Sequence, residues 1–214
     1  MSFYFAEGSK FYISQTFATA KTISGISNAN PAVATATAHG YSDADEVLLT
    51  SGWEDATDSV FKVDQQTVDT YQLLGLNSTD TTWFAAGAGA GSSQKISSWV
   101  EIPQVLNIAA QGGDARFTNV ELLARRNSIA VPTGFNPTQL TLTLAHDPNL
   151  AGYQTMLDIS RRLAKVAFRV VMAGGGTGYG YGHLTVSEMP SMQRNQVNSV
   201  QAGIAMLGRF ITYA

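Results

Sequence analysis

Thr138–Met172 reads TQLTLTLAHDPNLAGYQTMLDISRRLAKVAFRVVM. Its first eight residues alternate strictly. Leu140, Leu142 and Leu144 share one face, and Thr141 and Thr143 the other, which is the pattern of a strand with one face buried. The next stretch changes period. Asp147 reads as an N-cap and Pro148 as the first helical residue, where a missing N–H costs nothing. Leu150, Tyr153, Met156, Leu157 and Leu163 recur at helical spacing, and Arg161, Arg162 and Lys165 suit the negative end of the helix dipole. The spacing predicts a helix over about 148–164. VAFRVVM, residues 166–172, is again a strand. A strand, one helix and a strand imply an apolar stripe packed on a sheet.

Downstream, Ala173–Gly182 reads AGGGTGYGYG. It fits G-x-G-x-x-G in no register, no Gly-Lys-Ser/Thr follows, and HLTVSEM behind it is strand-like. A phosphate cradle needs a helix start there. The run therefore reads as a hairpin with a long flexible tip, in which Tyr179 and Tyr181 offer apolar contact to a neighbour. QVNSVQAGIAMLGRFITY, residues 196–213, is the last strand or strand pair.

Upstream, ISSWVEIPQVLNI and ARFTNVELLARR read as longer strands. Residues 22–92 carry several short ones: PAVATATAHG, EVLLTSG, SVFKVDQQ and DTYQLLGL, each bounded by turn residues. Four or five such strands make a small β-barrel or sandwich. AAGAGAGSS, which ends this stretch, reads as a flexible linker. From Thr22 to Ser92 there are nine carboxylates and one lysine, a net of −8, whereas the rest of the chain has seven acids and twelve bases, a net of +5. Two physically different units share the chain. FYFAEGSKFYIS near the N-terminus reads as a strand or arm.

Only 14% of the 214 residues are charged, against about 25% in ordinary soluble domains. Thr, Ser, Ala, Gly and Asn take their place, which suits polar faces covered in an assembly. The chain has no cysteine, so disulfides, thiolate metal sites and a cysteine nucleophile are excluded. The N-terminus lacks the pattern of a signal peptide, and no apolar run reaches the roughly 20 residues of a bilayer span.

Catalytic patterns are missing. His39, His146 and His183 lie on separate segments with no metal-ligand spacing. There is no G-x-S-x-G elbow and no H-E-x-x-H. Glu101 and Glu188 on strands would be the only glycosidase-like pair, and solvated strand carboxylates explain them better. Arg125–Arg126 and Arg161–Arg162 lack the interleaved aromatics of a nucleic-acid reader. A structural role follows by elimination, with no cofactor.

The order WVEIPQVLNI, GGDARFTNVELLARR, PTGFNPTQLTLTLAHDPN, helix, AFRVVM, glycine-rich turn, YGHLTVSEMPSMQRNQVNSVQAGIAMLGR resembles the major tail tube proteins of long, non-contractile-tailed bacteriophages. The features carrying it are Leu140–Leu144, Phe168–Val170, Leu184–Pro190 and Val197–Gly208, and it covers residues 1–20 and 93–214. The intervening residues 22–92 resemble the FCCH-type small β module of ubiquitin-activating enzymes, through Asn30–Pro31, His39–Gly40, Asp45–Val47 and Tyr71–Leu73. The fold implied is mainly β: a tail-tube β-sandwich or barrel of residues 1–21 and 93–214 with one packed helix, plus the small acidic β module 22–92.

The resemblance implies a virion protein assembled in the host cytoplasm, not an enzyme. Its subunits would form hexameric rings that stack into a tube, joined to tape-measure, initiator and terminator proteins, with no membrane partner. DNA would pass the lumen without stable binding. Phe3, Tyr4 and Phe5 would form an inter-ring arm. Gly174, Gly175, Gly176, Thr177, Gly178, Tyr179 and Tyr181 would form an inter-subunit loop. Glu101, Glu188, Thr141 and Thr143 would face the lumen, and the acidic unit would project outward. Two other readings stay open: a single-ring terminator or initiator, and a host-surface binding protein whose aromatic platform would be Trp53, Tyr71, Trp83 and Phe84.

Overall fold

A computed structural model describes residues 6–214. The strands are β1 (Lys10–Phe17), β2 (Lys21–Ile23), β3 (Gly25–Ile26), β4 (Ala32–Thr35), β5 (Glu46–Ser51), β6 (Ser59–Gln65), β7 (Thr70–Leu73), β8 (Gly91–Glu101), β9 (Val105–Gln111), β10 (Ala115–Val120), β11 (Ile129–Phe135) and β12 (Gln139–Ala145). After α1 (Ala151–Arg161) come β13 (Lys165–Val171), β14 (Thr177–Val186), β15 (Ser199–Met206) and β16 (Ile211–Tyr213). The fold is mainly β, with one helix among the described residues.

One antiparallel path runs β3-β4-β7-β6-β5-β8-β1-β13-β14-β15-β12-β9. Strand β8 is the hinge of this path. Its first half pairs with β5 and β2, and its second half with β1. Strands β8 to β9 curl around a single core. Phe11 and Ile13 of β1, Val166 and Phe168 of β13, Leu184 of β14, Val200 and Ile204 of β15 and Leu140–Leu144 of β12 all bury there, together with Tyr153, Met156 and Ile159 of α1. The Leu/Thr alternation of β12 places its leucines in this core, as the sequence predicts.

The helix is shorter than its sequence signals. Its N-cap is Leu150, with no side-chain cap. Asp147 closes a turn one step earlier, its Oδ1 accepting from the Asn149 N–H at 3.0 Å. Asp–Pro favours turns as strongly as caps, so Asp147 and Pro148 precede the helix. At the other end Ala164 N–H donates to the Ile159 carbonyl and Leu163 N–H to the Ser160 carbonyl, the two bonds of a Schellman stop. Leu163 takes the left-handed position, φ 50°, and is exposed, so it does not belong to the apolar stripe.

Residues 23–84 hold a separate core of Ile23, Tyr41, Leu49, Trp53, Phe61, Val63, Tyr71, Leu73 and Phe84 with smaller neighbours. The expected linker AAGAGAGSS is ordered structure. Gly91 lies in β8, and a Cβ there would stand 2.0 Å from the Thr50 carbonyl oxygen. Ser93 is fully buried and its Oγ meets the hydroxyls of Tyr41 and Tyr71 at 2.9 and 2.7 Å. Glycine serves close packing here.

Candidate assembly surfaces

The sheet has two sides, and register decides what each presents. On β12, the residues turned away from the core are Gln139, Thr141 and Thr143. Thr141 stands opposite Gly203 of β15 and Ala109 of β9, Thr143 opposite Gln201 and Asn107, and Gln139 opposite Ala205 and Gln111. On β14, Thr185 pairs with Gly203 and His183 with Ala205. This outer face of β9, β12, β15 and the end of β14 is polar and bears no Lys, Arg, Asp or Glu at those positions.

The same side of β8, β1, β13 and the first half of β14 is covered by the acidic unit. Leu48 and Val60 of the unit pack on Ile96, Ala167, Tyr179 and Tyr181. Both halves of the sheet turn their other side to the one core. The covered face and the bare face therefore look away from each other.

A charged group is built into the covered face. Glu46 of β5 receives three donors: Arg169 at 3.0 Å, the Tyr179 hydroxyl at 2.5 Å and Trp99 Nε1 at 2.5 Å. The Arg169 guanidinium lies 4.6 Å from the Tyr12 ring centroid and 4.8 Å from that of Trp99, a double cation–π contact. Burial, with Glu46 beside it, pushes the Tyr179 hydroxyl well above its ordinary pKa. Tyr213 of β16 adds a second tie. Its hydroxyl donates to the Leu74 carbonyl at 2.7 Å and accepts from the Lys62 N–H at 3.0 Å, and burial pushes its pKa up to about 12.

Strands β9 and β12 continue past the sheet. Beyond Gly112 and Gly113, both at positive φ, the pair resumes as the β10–β11 ribbon. Every residue of β10 and nearly all of β11 are exposed. Phe117, Val120, Leu122, Leu123, Val131 and Phe135 stand in solvent. Strand β11 contains Pro132, which disguised it in the sequence. Proline is tolerated in a ribbon edge, and the register shifts between Arg116 and Phe117, opposite it. At the sheet end of β9 an open groove of about 920 Å³ is lined by Phe11, Ile102, Val105, Ile108, Val170 and Met172, with Lys10 and Glu101 at its edge.

The glycine-rich run is mostly strand. The hairpin tip is confined to the turn at Met172–Gly176, where Gly175 N–H donates to the Met172 carbonyl. Thr177 and Gly178 already belong to β14. Gly180 is glycine because a Cβ there would stand 2.4 Å from the Phe168 ring. Tyr179 and Tyr181 are buried beneath the acidic unit, so in this chain they do not sit at a loop tip. Gly174, Gly175 and Gly176 remain as loop. Phe3, Tyr4 and Phe5 lie outside the described residues.

The glutamates are kept apart. Glu101 pairs with Lys10 at 3.4 Å and holds the Lys10 ammonium above its usual pKa. Glu188 pairs with Arg161 at 2.8 Å, a hydrogen bond that keeps its carboxyl below the ordinary range. The Glu101 carbonyl abuts Gly152 at the start of α1, while Arg161 ends it. Roughly 13 Å of helix separates those points, more than the 5–9.5 Å of a glycosidase pair. Thr141 and Thr143 share the bare face, whereas Glu188 is held on the helix side.

His39 is buried, its Nδ1 accepting from the Tyr41 N–H. Among the described residues no cluster of three His, Asp or Glu could hold a metal. Of the aromatic platform only Trp83 is exposed, because Trp53, Tyr71 and Phe84 form the core of the acidic unit.

The chain matches the phage tail tube protein family (TTP) over residues 51–214, which is 164 of its 214 residues. The match begins at the end of β5 and so spans part of the acidic unit as well as the sheet. No curated protein matches the chain. The chain belongs to the phage tail tube proteins and is a structural component of the virion tail.

Proposed function

We propose that this phage tail tube protein forms hexameric rings that stack into a hollow tube, with the bare face of β9, β12, β15 and β14 lining the lumen. The observation that carries the reading is the absence of charge at the outward positions of that face. DNA passing a wall of Thr, Gln, Asn, Ala and Gly meets no phosphate-binding side chain. Each Lys or Arg on such a wall would add salt-sensitive affinity and slow transit. Thr141 and Thr143 keep the lumen role, while Glu101 and Glu188 serve ion pairs away from it.

Strand β9 is the free end of the sheet path. A free edge invites pairing with another chain, and closing it on a neighbour in the ring removes that hazard. The acidic unit, residues 22–92, is an FCCH-like module standing on the outer side of the tube. Its net negative charge would keep finished tails apart in solution. The β10–β11 ribbon, the Gly174–Gly176 turn and the Phe3–Phe5 arm make contacts between subunits and rings. Tape-measure, initiator and terminator proteins meet the tube inside and at its ends, and assembly takes place in the host cytoplasm.

Negative-stain electron microscopy of the purified protein, with its mass in solution, tests this reading. Long hollow tubes of sixfold rings are the expected result. Single rings that never stack would replace it with a terminator or initiator role. Tubes of another ring number would overturn the hexamer.

A further inference from the structure

The ribbon and the groove have complementary chemistry, and one chain cannot bring them together. Leu122 and Leu123 at the ribbon tip are exposed, Leu123 completely. A two-stranded ribbon with no supporting layer is marginal in water, and contiguous exposed apolar groups mark a contact surface. The tip also carries Arg125 and Arg126, neither in an ion pair among the described residues.

The groove has the opposite character. Its wall is apolar, and its rim holds Glu101, Lys10 and the exposed Glu7 between Ala6 and Ser9. That rim is net negative, while Leu122–Ser128 is net positive. Strand β9 leads out of the groove at Ile108 and carries the chain away from it. The fourteen residues from Ile108 to Leu122 span roughly 45 Å as strand, and the exposure of β10 and β11 shows that the ribbon does not fold back.

We propose that the ribbon tip of one copy seats in the groove of a copy in the adjacent ring. Leu122 and Leu123 enter the apolar recess, and Arg125 and Arg126 lie against Glu101 and Glu7. The inference rests on the stacked-ring reading and names the receptor surface for the ribbon. Knob and hole lie at different ends of the subunit, so the contact is heterologous. Such a contact propagates without closing, as a filament of rings requires.

The test uses the full chain and tube length by electron microscopy, with wild type run alongside. Leu123→Asp, and separately Arg125→Glu with Arg126→Glu, are expected to leave the melting temperature and the rings intact. Tube length should fall about tenfold or more, the loss that ~1.4 kcal/mol per contact produces. Adding Glu7→Arg and Glu101→Arg to the double arginine variant should restore stacking. Full-length tubes from both tip variants would overturn the proposal. Lost stacking that the groove reversal does not restore would overturn the groove as receptor. Wild type that forms no rings would instead refute the tube reading beneath it.

Discussion

Strands β4 to β7 and the β10–β11 ribbon are both antiparallel, both rich in apolar residues, and differ in where those residues go. In the acidic unit, Tyr71, Leu73, Val63 and Leu49 are fully buried, and even the hydroxyl of Tyr71 finds Ser93 Oγ at 2.7 Å. In the ribbon, Phe117, Leu123 and Phe135 bury almost nothing. The unit is complete in itself, whereas the ribbon is apolar for something outside the chain. The bare Thr/Gln face is a third condition: neither apolar nor charged, suited to a surface that is passed over and not bound.

The comparison breaks first, and hardest, at Leu73. Leu73→Ala should cost about 2–5 kcal/mol, the range for a buried leucine leaving a cavity, read as a lowered midpoint in urea. A cost near zero would mean the unit's core is not packed as described.

Glu46→Gln asks whether the unit is fixed on the sheet by its charge group. Its side chain is 13% exposed and that of Arg169 is 23%. Removing one partner of such a pair leaves a largely buried cation, at about 3 kcal/mol. Trp99 fluorescence should shift too, since its indole N–H donates to Glu46. An unchanged midpoint and spectrum would show that apolar contact alone holds the unit.

Tyr213 gives a smaller effect with a pH signature. Burial raises its pKa to about 12, and burial raises Tyr71 and Tyr179 as well. A folded pKa above the unfolded value of 10 means stability that is full below pH 10 and lost as pH rises toward 12. Alkaline unfolding should therefore accompany tyrosinate formation in that window. Tyr213→Phe leaves the Leu74 carbonyl and Lys62 N–H without that partner, at about 1–2 kcal/mol near neutral pH, and weakens the alkaline dependence.

Phe117→Ser is the smallest. In the isolated chain it should move stability by less than about 0.5 kcal/mol, as for a surface site. A large loss would mean the ribbon has an intramolecular partner.

Much of this was legible in the residues. The alternation at Leu140–Leu144 gave a strand and its faces directly, because period-2 patterning is a local property. The charge split at residues 22–92 pointed to a unit with its own core. What escaped depends on neighbours distant in sequence. Gly91 and Gly180 look like flexibility until Thr50 and Phe168 are seen against them. Tyr179 and Tyr181 look like loop aromatics until the acidic unit covers them. Strand β11 was hidden by Pro132, and Asp147–Pro148 imitated a cap because caps and turns use the same side-chain bond. Nothing local marked Glu46 and Arg169 as partners 123 residues apart.

The lumen assignment is tested most directly by cysteine protection, since the chain has no cysteine of its own. Thr143→Cys on the bare face and Asp80→Cys on the acidic unit would each be treated with a bulky, polymer-linked maleimide, as free subunits and as assembled tubes. The account predicts that both label as subunits, and that in tubes position 80 still labels while position 143 is protected. Equal labelling of position 143 in both states would contradict it, because the uncharged face would then lie on the outside of the tail.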